Sequence, residues 1–318
     1  MSEFTGCSSS DQASSFAADG RCLDCFGRGL RSFMASGGLE DGEAESLLAG
    51  YLESIGDLLG SLPPPFAGAS VYRDLRSRLI EADIFAKEKA FLTAELLGRA
   101  PGLRSAFGAG PERLCNALRA ATWGNLLDVA QGRPLPDLES LLALLGGPLA
   151  LDRTGEFMDR LGRTRRLLVL GDNAGETVLD ALFLECLPEG METVYMVRPE
   201  PVLNDATVED ARAAGIGGRV EVVSSGLDAP AVRPEMLSDK ALECWNRSEL
   251  ILAKGQGNLE GLWGTIDPRL YHSFVVKCDV ISEMTGLPEG SGVLAGSAEL
   301  HERRCVCRST SSFAADAT

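Results

Sequence analysis

Histidine is nearly missing from this sequence: His272 and His301 are the only two in 318 residues. That is too few for a His-rich zinc hydrolase centre, and neither has a motif around it, so histidine chemistry is not expected. Basic side chains are also in short supply, 30 against 46 acidic ones, for a net charge of −16. This balance disfavours nonspecific affinity for nucleic acid or an anionic membrane. A phosphorylated substrate would therefore need a local positive centre, most economically a metal ion. No run approaches the ~18 uninterrupted apolar residues of a membrane span, and the N-terminus lacks the basic-then-apolar order of a signal peptide. The cytoplasm is the expected compartment, with no nucleic-acid or membrane partner. The nine cysteines form no compact, evenly spaced framework, so most are expected to be reduced thiols.

What is present supports a real core: 45% of the residues are apolar, enough at this length for two domains or one large one. Residues 1–20, rich in Ser, Ala and Asp, show no period and read as a mobile leader. Residues 21–160 read as a helical domain, with apolar positions at three- and four-residue spacing and no convincing strand. From residue 161 to 308 the period changes. Short apolar or β-branched runs at 167–170, 193–197, 220–223, 250–253 and 274–277 alternate with helical or loop segments. The alternation predicts an α/β fold, a three-layer α/β/α arrangement with a mainly parallel, Rossmann-like sheet, preceded by an all-helical N-terminal domain. Residues 309–318 read as a frayed tail.

Chemistry-bearing residues cluster where predicted strands end. The first run stops at Gly171-Asp172-Asn173-Ala174-Gly175-Glu176, and a helical pattern follows. Ligands in open α/β sheets bind beyond the carboxyl ends of strands, and Asp172 and Asn173 offer hard oxygen donors of the kind Mg²⁺ or Mn²⁺ prefers. The same two residues could instead cap the helix. After the second run, Thr207 and Asp210 fit a capping box, which leaves Asp205 in the loop before it. If the strands are neighbours, Asp172, Asn173 and Asp205 converge on one divalent ion. The fourth run ends in Ala253-Lys254-Gly255-Gln256-Gly257-Asn258, whose glycines permit close backbone approach and whose ammonium suggests a phosphate pocket, although a tight turn would look the same. In the helical half, Asp83, Lys89, Asn125 and Asp128 are polar where amphipathic packing does not require it; the alternative is a solvated helix face, with an Asp83–Lys87 pair. Cys22 and Cys25 with Cys305 and Cys307 could supply four thiolates to a structural Zn²⁺ or remain unligated.

Taken in order, these motifs resemble the damage-control phosphatase family, catalogued as domain of unknown function 89, in its cysteine-bearing prokaryotic branch. The resemblance runs from about Cys22 to Cys307 and rests on the loops at 171–176, 204–207 and 254–258, on Asp83 with Lys89, on Gly124-Asn125 with Asp128, and on the closing segments Lys277-Cys278 and Cys305-Val306-Cys307. Ile84, Phe85 and Thr93 depart from the family's pattern. The resemblance implies a metal-dependent phosphatase acting on small phosphorylated metabolites, with Mn²⁺, Mg²⁺, Co²⁺ or Ni²⁺ held by Asp172, Asn173 and Asp205. Asp172, Lys254 and Glu176 are then the expected catalytic residues, and Asn125, Asp128, Asp83, Lys89, Gly255 and Asn258 the expected substrate-binding ones. Water attack and an aspartyl-phosphate both remain open. A related branch described as an S-adenosylmethionine-dependent carboxyl methyltransferase supplies the alternative. Such a site would want an acid at the end of the second strand, where this chain has Val197-Arg198-Pro199. A noncatalytic binding protein would leave the converging motifs unexplained.

Overall fold

The computed structural model describes residues 16, 18–79, 83–130, 138–145 and 147–303. Seven strands among them form one sheet: β1 (Leu151–Asp152), β2 (Arg166–Leu170), β3 (Glu192–Val197), β4 (Val220–Ser224), β5 (Leu250–Lys254), β6 (Leu270–Val275) and β7 (Gly292–Gly296). Their order is β1-β7-β6-β5-β2-β3-β4, and every neighbouring pair is parallel except β6 with β7. The mainly parallel three-layer expectation holds.

The central strands read as unbroken apolar runs because both of their faces are covered. Successive side chains point to opposite faces. Leu167, Val169, Leu250 and Leu252 therefore share a core with helices α5 (Ala86–Ala106) and α6 (Pro111–Trp123) and the helix at Thr177–Glu185, while Leu168, Leu170, Ile251 and Ala253 meet Ala241 and Trp245 of the helix at Asp239–Arg247. The helices of the first half divide their allegiance. α1 (Gly20–Ser36), α2 (Asp41–Leu59), α3 (Pro64–Ala67) and α4 (Ala69–Arg78) come first, and Leu30, Phe33, Ile55 and Leu75 of α1, α2 and α4 make a cluster of their own. α5 and α6 instead form one layer of the sandwich.

Two strands escaped the sequence reading, and a third was displaced. β1 lies inside the stretch expected to be helical; at two residues it is too short to show a period, and it exists by pairing with β7. β7 has glycine at both ends and little β-branching. β6 starts at Leu270, four residues before its expected start, because His272 and Ser273 interrupt the apolar pattern although both are buried. Asn125 and Asp128 share no helix face: α6 ends at Trp123, and a single 3₁₀ turn carries the chain past Gly124.

Candidate active site

The chain runs β2→β3→β4 toward one edge of the sheet and β5→β6 toward the other, so the carboxyl ends of β2 and β5 flank a topological switch point, where open α/β sheets bind ligands. Asp172 follows β2 by one residue and Gly255 follows β5. Gly255 has φ +78°, and a Cβ at that position would fall 1.9 Å from Asp172 Oδ2. Only glycine lets the carboxylate lie against that backbone.

Backbone pairing between loops gathers the oxygen donors. Asn173 and Asp205 form an antiparallel bridge, flanked by Ala174 N donating to Asn204 O (2.9 Å) and Ala206 N donating to Asp172 O (2.7 Å). Thr207 starts the next helix, at Val208–Ala213, through the expected capping box with Asp210. Asp172, Asn173 and Asp205 thus share one volume, and all three line a cavity of roughly 350 Å³ between the sheet edge and α1.

Each of the three is oriented from behind. Asn125 Nδ2 donates to Asp172 Oδ2 (2.8 Å) and to Glu176 Oε2 (2.9 Å), while its Oδ1 accepts from Val275 N (3.1 Å). Asn204 Nδ2 donates to Asn173 Oδ1 (2.9 Å), and Arg198 Nε to Asp205 Oδ2 (2.7 Å). Asp172 Oδ1 and Asp205 Oδ1 accept no hydrogen bond among the described residues. Burial, then the charges of Asp205 and Glu176, hold the Asp172 carboxyl well above the usual carboxylate range. Burial lifts Asp205 to about 6 against the opposing pull of Arg198. Crowded, buried carboxylates with free oxygens are stabilised by a cation. No group of three or more His, Cys, Asp or Glu among the described residues is placed to hold a metal ion. The candidate set is instead two carboxylates and an amide oxygen, a partial set of hard donors that suits Mg²⁺ or Mn²⁺ with water or phosphate completing the shell.

The remaining expected residues separate into those at the cavity and those beneath it. Lys254, expected beside a phosphate, is fully buried. Its Nζ donates to Glu176 Oε1 (2.9 Å), Asp180 Oδ1 (2.7 Å) and Ala121 O (3.0 Å), which uses all three of its protons. Burial alone would pull its pKa down, but the charges of Asp180 and Glu176 more than offset this and raise it. Glu176 and Asn258 are likewise fully buried, and Asn258 Nδ2 donates to Gly171 O (3.1 Å) and Lys254 O (2.7 Å), tying the β2 and β5 ends together. These residues support the donors from below and do not face the cavity. Asp83 and Lys89 lie elsewhere: Lys89 Nζ bridges Asp83 (2.7 Å) and Asp210 (2.6 Å), fastening α5 to the helix after Thr207. The alternative Asp83–Lys87 pair does not form. Asp128 does line the cavity.

The ammonium that reaches the cavity is Lys277, two residues beyond β6, with Nζ donating to Asp128 Oδ2 at 2.8 Å. Burial lowers its pKa, and the charges of Asp128 and Asp172 raise it by more. In the sequence Lys277 stands out only within a closing segment, although a lysine at a strand's carboxyl end is signal enough. Arg198 was the other omission; buried and paired with Asp205, it stands where a ribose-gripping acid would be needed for methyl transfer. Cys22 and Cys25 line the cavity wall, whereas Cys305 and Cys307 lie outside the described residues.

The sequence model of the damage-control phosphatase ARMT1-like domain matches residues 18–293. The chain is 33% identical over 178 residues to a damage-control phosphatase of Pyrococcus horikoshii, a stretch that makes up 55% of this chain and spans 62% of that relative. It is 29% identical over 272 residues to an uncharacterized protein of Methanocaldococcus jannaschii, covering 82% of this chain and 90% of that one. A crystal structure of a DUF89 family protein from Pyrococcus horikoshii is similar with a TM-score of 0.72 and 25% identity, over 88% of this chain and 99% of that one.

Proposed function

The chain belongs to the damage-control phosphatase ARMT1-like family, and from that premise we propose that it is a metal-dependent phosphatase hydrolysing small phosphorylated metabolites, sugar phosphates or phosphopantetheine-type compounds, in metabolite damage control. The observation that carries the reading is the meeting of Asp172, Asn173 and Asp205 at the switch point, open to a cavity of small-molecule size with Lys277 on its wall.

Asp172, Asn173 and Asp205 would hold a divalent ion, which when bound would supply charge neutralisation at the phosphoryl oxygens. The side chains do the rest. Lys277, aimed by Asp128, holds a second phosphate oxygen by a charge-assisted hydrogen bond. Asn125 keeps the Asp172 carboxylate in one orientation, and the Lys254 layer beneath fixes Asn125's other partner, Glu176. Residues of α1 form one wall of the cavity.

The test is a panel of sugar phosphates and phosphopantetheine compounds assayed with Mg²⁺, Mn²⁺, Co²⁺ and Ni²⁺, alongside Asp172→Ala. Turnover that needs an added ion, disappears with chelator, and is lost together with calorimetric metal binding in Asp172→Ala supports the reading. Unchanged turnover in that variant removes the metal-site assignment.

A further inference from the structure

Hydrolysis of an alkyl phosphate ester leaves an alkoxide unless a proton reaches the departing oxygen, and a positioned acid contributes roughly 10²–10⁴-fold to such a step. The acids at the Asp172 end are occupied otherwise: Asp128 with Lys277, Asp205 with Arg198, and Asp172 with two amides. Further along the cavity, Asp24, Asp279 and Glu289 are exposed to solvent. Glu260 differs from all of these. It stands on the last turn of the helix that follows β5, half-buried in the cavity wall, and Gln256 Nε2 holds its Oε1 at 2.9 Å. Its Oε2 has no partner among the described residues.

Gln256 is itself fixed: its Oε1 accepts from Lys277 N (2.9 Å), and its Nε2 also meets Cys278 Sγ (3.6 Å). One amide therefore sets the position of Glu260 relative to the lysine at the phosphate end. Lys277 thus binds Asp128 through its ammonium (2.8 Å) and the amide that holds Glu260 through its backbone N–H (2.9 Å), and Asp172, Lys277 and Glu260 all line the same cavity.

We propose that Glu260 is a catalytic residue, the general acid that protonates the leaving-group oxygen of the substrate. The inference rests on the phosphatase reading. As the P–O ester bond breaks, its electron pair moves to the leaving oxygen and the Glu260 carboxylic proton transfers to that oxygen. The attacking water's oxygen bonds to phosphorus and releases its proton to solvent, and Glu260 regains a proton from solvent. Burial pushes the Glu260 carboxyl up to about 7 against the lesser pulls of Gln256 and Lys277, so the acid form is present at neutral pH. The groups facing it are Gln256 on its own helix, Lys277 and Cys278 after β6, and Cys22 on α1.

The deciding experiment compares Glu260→Gln with wild type on two esters in the metal-loaded enzyme: glycerol phosphate, whose alcohol needs a proton to leave, and para-nitrophenyl phosphate, whose phenolate does not. Expected is a loss of about 10²-fold or more in kcat on glycerol phosphate, with the alkaline limb of its pH profile abolished, and a near-unchanged kcat on para-nitrophenyl phosphate. Glu260→Asp, which keeps the acid but withdraws it by one methylene, should fall between the two on glycerol phosphate. Equal losses on both esters would mark Glu260 as structural, and no loss on either would remove it from the reaction; both results overturn the proposal. If wild type hydrolyses neither ester with any ion, the phosphatase reading itself fails, a result separable from the other two.

Discussion

The layer beneath the sheet's carboxyl edge and the layer above it hold the same kinds of side chain in opposite circumstances. Lys254 ends β5 and Lys277 lies two residues beyond the adjacent parallel strand β6, yet one is sealed among Glu176, Asp180 and a carbonyl while the other opens onto the cavity beside Asp128. Asp180 is further tied down by Tyr195, whose hydroxyl donates to Oδ2 at 2.7 Å. An ammonium with all its protons committed in a dry layer cannot grip a substrate, but it can keep a crowded set of carboxylates charged and in place. A lysine's role at a strand end is decided by what its Nζ reaches, and the glycine-flanked lysine motif belongs to the scaffold beneath the candidate site.

The sharpest probe joins the two layers. Gly255→Ala would thrust a methyl group to 1.9 Å from Asp172 Oδ2 at a backbone φ of +78°, so the carboxylate must move. We expect phosphatase activity and metal binding to fall to background, read by assay and calorimetry; a variant with wild-type activity would mean that the close packing of the layers is dispensable. Next in size, Lys254→Met leaves two buried carboxylates facing each other and should cost about 3–5 kcal/mol of stability in urea unfolding. Lys277→Met should cost less stability but lower kcat/KM by about 10–100-fold, the value of a hydrogen bond to a charged group. If Lys254→Met keeps wild-type stability and only weakens substrate binding, the assignment of the two lysines is reversed.

The smallest effect, per pH unit, comes from His272, away from both layers. It is 2% exposed, its Nδ1 has no partner among the described residues, and burial depresses its pKa from 6.5 to about 3. Between those values the unfolded chain binds a proton that the folded chain does not, so stability falls as pH drops through that window, by at most about 1.4 kcal/mol per unit, and is unaffected above it. His272→Phe should flatten this slope in unfolding measured from pH 7 to pH 4 while leaving activity at pH 7 within a factor of about two. An unchanged slope would show that the acid response comes from the carboxylate layers instead.

Much of the candidate site is readable because its oxygen-bearing residues sit at strand ends that a period change announces. Asp172 and Asn173 follow an unbroken apolar run, and Asp205 precedes a capping box, so both loops were placed correctly from pattern alone. Asp83 and Lys89 mislead for a definite reason. Polar residues on a helix look functional whether they face a ligand or a neighbouring helix, and here Lys89 meets Asp210 across a tertiary contact. Glu260 and Arg198 carried no local signal, since one stands on a short helix and the other follows a strand like any terminating charge.

By itself the sequence determined the alternating β/α order of the second half, the parallel sheet that follows from it, and the acidic loops at the ends of two strands, because hydrophobic period and capping chemistry are local properties of the chain. Tertiary structure alone decided that β2 and β5 lie side by side, that Gly255 lies under Asp172, and that Lys254 is enclosed while Lys277 is not. Those outcomes depend on which strands become neighbours and on how much water is left around each charge, and both are set by contacts between residues far apart in the chain.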